Sequence, residues 1–385
     1  MIMRMALTHG RIVLDEWTVL EDGALVIRDG IIEQAIPASE FHEEGIACMD
    51  LHHETAYPGF IDLHVHGGMG RDFIEGADSV EPVSRNIVAD GTAAFLCSLT
   101  VLSHEKELQA LASLSHHQET GARCLGVHME GPYLSAQYKA LMDERYLRDP
   151  SEQEVLEMLA ANPEIRTMTI APERQGMESF IPFLRAHGIV PMIGHTACTC
   201  AQAEEAHERG AMGFTHLYNA MSQHTHRDPG CVTAAFLHDD MYKELIVDGF
   251  HTDDAVLRMT YKCIGPHQII LITDAMLGKG MPDGEYTFSG LRCRKEGIHV
   301  RVIETGRIAG SAFGMIDAVR HLSSIVRLSP EDICAMTSAN AAHLIHDQSR
   351  GSLRPGARAD IAVLSDALEV TKCLVGGRME YQKED

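Results

Sequence analysis

Two histidines flanking a single valine, His64 and His66 in GFIDLHVHGG (59–68), close an apolar run. Residues two apart on a strand share a face, and neutral imidazole is the commonest metal ligand among side chains. The same event recurs along the chain: apolar runs end in Glu130, His195, His216, His251 and Asp274. A lone buried histidine is ordinarily a satisfied core residue, so the argument rests on recurrence across six runs. Imidazole and carboxylate donors suit Zn²⁺ or Fe²⁺, and three or four protein ligands with one open position describe a catalytic rather than a structural site. Water bound to such a metal has its pKa lowered to about 7, which makes hydrolysis the expected chemistry. Asp274, in LITDAM, suits a general base that takes a proton from that water and passes it to the leaving group. The competing readings are structural: an edge-strand alternation for the His-Val-His pair, and a turn cap for Asp274.

Residues so far apart in sequence meet only if the runs that carry them are strands whose C-terminal ends converge. FIDLHVH, TAAFLCSL, RCLGVHME, IRTMTIAPE, IVPMIGHT, GFTHL, ELIVDGFH and IILITDAM are eight candidate buried strands with helix-like segments between several of them. That pattern predicts a (β/α)8 TIM-like barrel, whose active sites are built at the C-terminal face. SEQEVLEMLAA opens on a Ser151/Glu154 capping box, CAQAEEAHERG ends at Gly210 as a C-cap, and LSPEDICAMTSANAAHLI pairs an N-cap Ser329 with Pro330 in the first turn. Before the barrel, RIVL, GALVIRDGIIEQAI and CMDLHHETAY read as short strands, with Asp-Gly at 22–23 and 29–30 as hairpin signals. The tail GARADIAVLSDALEVTKCLVGGRMEY returns to strand character. Residues 1–57 and 346–385 are therefore expected to build one small β-domain beside a barrel of residues 58–345.

The 385 residues include 32 Lys plus Arg against 55 Asp plus Glu, a formal charge of −23. Such a surface repels nucleic acid and anionic membrane, so an anionic substrate needs a local basic pocket. No apolar stretch reaches the roughly 18 residues of a membrane span, and the N-terminus has no sustained signal-peptide core, so a cytoplasmic location is expected. Ten scattered cysteines without a CxxC pair read as reduced core thiols. CTC at 198–200 reads as small residues opening a helix, since two cysteines alone are an incomplete zinc site.

In combination, PGFIDLHVHGGMGRDF, GVHMEGPYLS, IGHT, THLYNAMSQHTHRDPG, VDGFH, LITDAMLGKGMPDGEY, RIAGSAFGM and LRPGARADIAVL are highly specific. The chain resembles the N-acetylglucosamine-6-phosphate deacetylases of the amidohydrolase superfamily over nearly its full length. The resemblance implies a metal-dependent barrel with a β-sandwich made from both termini, and a homodimer. It implies Glu130, His195 and His216 as the main metal ligands, and Asp274 as catalytic base and acid beside them. His64 and His66 would help hold a second metal, the glutamate bridging; relatives without that pair use one. Asn219, Ala220 and Arg227 match positions that hold the sugar phosphate, Arg227 in reach of a partner subunit's site. His251 matches a contact near the scissile amide, where it would act as a catalytic residue that helps stabilise the developing oxyanion, and Ile308, Ala309 and Gly310 match a loop lining the pocket. Independently, the Arg227 guanidinium offers a planar fork suited to phosphate.

One segment departs from the resemblance. Where those enzymes end a stretch in Lys-Gly-Ala-His or Lys-Gly-Thr-His, this chain reads AQYKALMDERYL, with Leu141 and Met142 at the two substrate-touching positions. A hydrogen-bonding imidazole has become a thioether, which should change substrate preference. Lys139, Asp143, Glu144 and Arg145 are the nearby residues able to compensate. The expected reaction is removal of acetate from an N-acetylated amino sugar 6-phosphate. The alternatives are a galactosamine-type or 6-sulfated substrate, another amidohydrolase reaction such as opening a cyclic amide, or a catalytically silent sugar-phosphate binder.

Overall fold

A computed structural model describes residues 4–42, 45–288 and 290–384. Strands β1 (Arg4–Asp15), β2 (Thr18–Arg28), β3 (Ile31–Pro37), β4 (Ala47–Asp50) and β5 (Thr55–Pro58) precede the barrel strand β6 (Phe60–Val65). A two-stranded hairpin, β7 (Gly67–Gly68) with β8 (Arg71–Asp72), follows at once. The other barrel strands are β9 (Thr92–Leu99), β10 (Arg123–Glu130), β11 (Ile165–Ile170), β12 (Val190–Ile193), β13 (Gly213–Phe214), β14 (Tyr242–Ile246) and β15 (Ile269–Ile272). They pair in parallel in the order β15-β14-β13-β12-β11-β10-β9-β6; seven fall inside the apolar runs read from the sequence, and β14 starts two residues before its run, at Tyr242. Their side chains are buried almost throughout, as a parallel sheet covered on both faces requires.

The seam between β6 and β15 is closed mainly by one buried carboxylate. Asp62 Oδ2 accepts from Thr273 Oγ1 at 2.5 Å, and its Oδ1 accepts from the amides of His64 and Thr273. A bridge from Val65 to Ala275 continues the closure, with Asp274 N donating to His64 O at 2.8 Å. Desolvation raises the Asp62 carboxyl to about 6 despite these donors. Beneath the seam, Ser329 caps the helix from Pro330 in a reciprocal box with Asp332. The chain then passes through a π-helical turn (Ala335–Ala339) into Asn340–Leu344. Ser338 donates to the carbonyls of Pro58 and Gly59, and Asn340 to those of Pro266 and Ile269, so this segment ties together the entry points of β6 and β15.

Strands from both ends of the chain share one eight-stranded sheet. After β16 (Gly284–Phe288), β17 (Leu291–Glu296), β18 (His299–Val302) and β19 (Ile308–Ser311), the C-terminal strands are β20 (Ile361–Leu364), β21 (Val370–Val375) and β22 (Arg378–Gln382). The order is β22-β21-β20-β5-β1-β2-β3, with β4 on β1, enclosing a core of Leu7, Ile12, Leu25, Ile361 and Leu374 among others. The hairpin signal at Asp29-Gly30 is the β2–β3 turn, with φ of 50° and 80°. The signal at 22–23 is not a turn: Gly23 lies inside β2, opposite Gly10 at a register shift, and the β1–β2 turn falls at Glu16–Trp17. At Gly23 the glycine serves close approach instead, since a Cβ would lie 2.6 Å from Ile12 Cγ1.

Three smaller expectations are also amended. Ser151 caps its helix, but Glu154 does not return the bond; its carboxylate takes Tyr133 and Arg148 instead. The residues at 308–310 are not a loop: Ile308, Ala309 and Gly310 belong to β19 of a four-stranded antiparallel sheet, β16-β17-β18-β19, absent from the strand reading. None of the ten cysteines forms a disulfide, which fits reduced thiols, but Cys48 and Cys263 are exposed rather than core thiols. CTC opens a helix as expected, with Thr199 capping Cys200–Glu208.

Candidate active site and metal centre

Three of the expected residues occupy one repeated local geometry. His195, His216 and Asp274 each lie two residues beyond the end of their strand, at φ of 49°, 30° and 47°. Non-glycine residues are rare in this region and persist where their surroundings over-determine them. The turn throws each side chain across the barrel mouth. Gly194, before His195, leaves no room for more: a Cβ there would stand 2.7 Å from that of Thr215. Glu130 reaches the same place as the last residue of β10, His64 from within β6, and His66 just past it.

The functional atoms converge in two groups that meet at Glu130. In the first, His195 Nε2, His216 Nε2 and Glu130 Oε1 are mutually 3.0–3.1 Å apart. In the second, His64 Nε2 and His66 Nε2 are 3.2 Å apart and stand 3.7 and 3.4 Å from Asp274 Oδ1. Glu130 Oε1 is 3.6 Å from His64 Nε2, and Oε2 is 3.4 Å from His66 Nε2, so the glutamate touches both groups.

The outer ring nitrogens show what these atoms are for. His195 Nδ1 donates to Tyr138 O at 2.8 Å, His66 Nδ1 to Ser98 O at 3.2 Å, and His64 Nδ1 to Glu244 Oε2 at 3.3 Å. Fixing the proton on Nδ1 leaves the Nε2 lone pair bare, the second-shell arrangement of metal-binding histidines. Several lone pairs and carboxylate oxygens then point into one buried space, an arrangement only cations satisfy. Tetrahedral ligands at about 2.05 Å place neighbouring donors about 3.3 Å apart, so the spacing in both groups fits a divalent metal.

Electrostatics within the cluster run the same way. Burial alone would raise the Glu130 carboxyl, yet the imidazoles of His195, His216 and His66 around it hold it well below the usual range. Burial opposes charge on His66, but Asp274 and Glu130 outweigh it and push the imidazole well above its ordinary value. Asp274 is lowered despite burial, by His66 and His64. The cluster therefore keeps its carboxylates ionised and seeks positive charge.

A cavity of about 520 Å³ lies over these atoms, lined by His66, Glu130, His195, His216 and Asp274 at its base. His251, Asn219, Ala220, Leu141, Met142, Ile308 and Gly310 line its walls; Ala309 is fully buried and faces a small apolar core instead. Gly310, at φ 59°, packs so closely that a Cβ would be 2.9 Å from Asp274 O. Met142 packs on Val101 and Leu134, which makes this wall apolar. Arg227 is not brought to the cavity: it is exposed, on the segment between Gln223 and Asp228, and makes no ion pair among the described residues. Nor do Lys139, Glu144 and Arg145 reach it; Arg145 is engaged by Asp143, which does line the cavity.

Several contributing residues were not singled out in the sequence. Glu244 interrupts the apolar run of β14, and besides His64 it accepts from the amide of His216. Asp248 accepts from the amides of Phe250 and His251 and from His251 Nδ1 at 2.7 Å, clamping that ring. His128 sits beside the cluster but is no ligand: its nitrogens meet Ser98 Oγ and Thr169 Oγ1, and burial drives it well below its ordinary pKa. Lys106 is the one Lys or Arg among the described lining residues, and it has no carboxylate partner among them. The signal for Glu244 and His128 was a polar residue within an apolar run; an exposed lysine on a helix gives none.

An eight-stranded barrel with a buried histidine and carboxylate cluster at its C-terminal mouth is the architecture of a metal-dependent hydrolase. The amidohydrolase family profile matches residues 55–379. N-acetylglucosamine-6-phosphate deacetylase of Bacillus subtilis (strain 168) is 32% identical over 382 residues, covering 96% of this chain and 95% of that one. N-acetylgalactosamine-6-phosphate deacetylase of Escherichia coli O157:H7 is also 32% identical, over 384 residues, 97% of this chain and 99% of that one. The solved structure of N-acetyl-D-glucosamine-6-phosphate deacetylase from Mycobacterium smegmatis, in complex with N-acetyl-D-glucosamine-6-phosphate, superposes with a TM-score of 0.90 at 29% identity, over 98% of this chain and 99% of that one. The chain belongs to the amidohydrolase family, among its N-acetylglucosamine-6-phosphate deacetylases. No helix among the described residues is long and apolar enough to cross a membrane.

Proposed function

We propose that this enzyme hydrolyses the acetamide of an N-acetylated amino sugar 6-phosphate, N-acetylglucosamine 6-phosphate first, giving acetate and the free amino sugar phosphate. The observation that carries the reading is Asp274 beside the Glu130 cluster, at the base of a cavity of sugar size. Glu130, His195 and His216 would hold one divalent metal, and His64 and His66, sharing Glu130, a second; Zn²⁺ and Fe²⁺ suit the donors. Bound there, the metal supplies an acidified water and polarises the acetyl carbonyl.

This chain's residues do the rest. Asp274, held ionised, takes the proton from the attacking water and returns it to the amide nitrogen as the C–N bond breaks. His251 donates its Nδ1 proton to Asp248, so its neutral form offers Nε2 only as an acceptor. That suits a sugar hydroxyl, and only the imidazolium could donate to a developing oxyanion. Asn219 spends its amide protons on the carbonyls of His216 and Leu217, leaving an acceptor oxygen for substrate. Lys106 is the cation this chain offers an anionic group, and in a homodimer the exposed Arg227 of a second copy would add another. Ten cysteines without a disulfide suit a cytoplasmic enzyme.

Acetate release from N-acetylglucosamine 6-phosphate by metal-loaded protein tests the reading; no release from it or its galactosamine analogue would overturn it. The galactosamine reading has its own support, in a relative of equal identity and in the apolar Leu141–Met142 wall. Comparing kcat/KM for the two 6-phosphates and the matching 6-sulfates separates them.

A further inference from the structure

At the opposite end of the barrel from the site, a second cavity of about 910 Å³ is walled by the C-terminal ends of three helices, at Leu114, Asn162 and Ile345. Two cysteines on neighbouring strands face it, Cys97 on β9 and Cys124 on β10. Their sulfurs are 3.6 Å apart. The pairing of β9 and β10 slips between Cys124 and Val127, and this irregularity is what lets the two side chains meet across strands. His117, on the same cavity wall, holds Glu119 Oε2 at 3.0 Å, and Arg123 holds the other carboxylate oxygen. His117 Nδ1 donates to Leu114 O at 2.6 Å, so two acceptors, this carbonyl and Glu119, favour a charged imidazolium on the wall that Cys124 shares.

We propose that Cys124 and Cys97 are a peroxide-reactive thiol pair, Cys124 attacking and Cys97 resolving. The Cys124 thiolate attacks one peroxide oxygen, the O–O bond breaks, and the departing hydroxide takes a proton from His117 to leave as water. Cys124 is then a sulfenic acid. The Cys97 sulfur attacks that sulfur, the S–O bond breaks, and water leaves with the Cys97 proton. The pair has lost two electrons, the peroxide has gained them, and a thiol reductant reverses the change. The sulfurs must close from 3.6 Å to about 2.05 Å. The electrostatics agree: hydrogen bonding from Cys97, with His117 reinforcing it against burial, holds the Cys124 thiol below the usual range, while burial pushes Cys97 well above it.

The same chain carries its own controls, because Cys48 and Cys263 are the exposed cysteines. Full-length protein is treated with substoichiometric hydrogen peroxide, its thiols are counted after denaturation, and its peptides are mapped. The expected result is loss of two of the ten thiols, a Cys97–Cys124 disulfide, and recovery with dithiothreitol. Cys97→Ser should leave a sulfenic acid at Cys124 that a dimedone probe captures, and His117→Ala should slow the reaction several-fold with the fold retained by circular dichroism. Oxidation of Cys48 or Cys263 ahead of Cys124 would overturn the proposal. So would a lasting sulfenic acid at Cys124 in the unmodified sequence, which would leave Cys97 no resolving role.

Discussion

The two halves of the cluster at the barrel mouth are built from the same residue types but differ in compactness. Around Glu130 Oε1, His195 and His216 close to 3.0–3.1 Å. Across the seam, His64 and His66 stand 3.4–3.7 Å from both Glu130 and Asp274. The first half is complete without the second, whereas the second borrows its glutamate from the first. On the proposed reading the first half would hold a metal by itself, and in the second Asp274 would both stand beside the metals and carry the proton.

Removing the shared member should have the largest effect. Glu130→Ala is expected to bring metal content to background and abolish acetate release; retained metal, by elemental analysis, would mean that the histidines alone suffice. Asp274→Asn comes next, with turnover falling about 10²- to 10⁴-fold while metal remains. A loss below tenfold would remove Asp274 from the proton path. Lys106→Met should raise KM for a sugar 6-phosphate about tenfold with kcat nearly unchanged, the signature of lost ground-state binding. An unchanged KM would pass the anion to the partner subunit's Arg227, which Arg227→Met then tests by the same split. The mildest change is His64→Asn with His66→Asn. Metal content should fall from two per chain toward one, and a parent already near one, unchanged by the substitutions, would leave the pair as orienting groups.

Much of the site was legible because a polar residue ending an apolar run is conspicuous. Every member of the histidine and carboxylate cluster announced itself that way, and the barrel strands showed as the apolar runs themselves. Glu244 and Asp248 followed the same rule within ELIVDGFH but were passed over, since their partners, the rings of His64 and His251, are met only in the fold. The antiparallel sheet of β16 to β19 also left a trace: in LRCRKE the buried side chains alternate with exposed ones. That period was masked by its charged residues, Lys295 among them, which is buried by pairing with Asp283. The false turn at Asp22-Gly23 shows the converse. A glycine is demanded by a turn or by a close neighbour, and composition does not separate them.

The sequence by itself determined the barrel with its eight strands and singled out the residues of the cluster, because burial periodicity and ligand chemistry are local properties. Tertiary structure alone decided which nitrogen of His195, His66 and His64 is bare, since that follows from Tyr138, Ser98 and Glu244, each at least 32 residues away from its histidine. It also decided which cation lines the cavity, choosing Lys106 over Arg227, and brought two unremarked cysteines to 3.6 Å across a slipped pair of strands. Hydrogen-bond partners and through-space charge depend on closure of the barrel, and no local pattern in the chain encodes them.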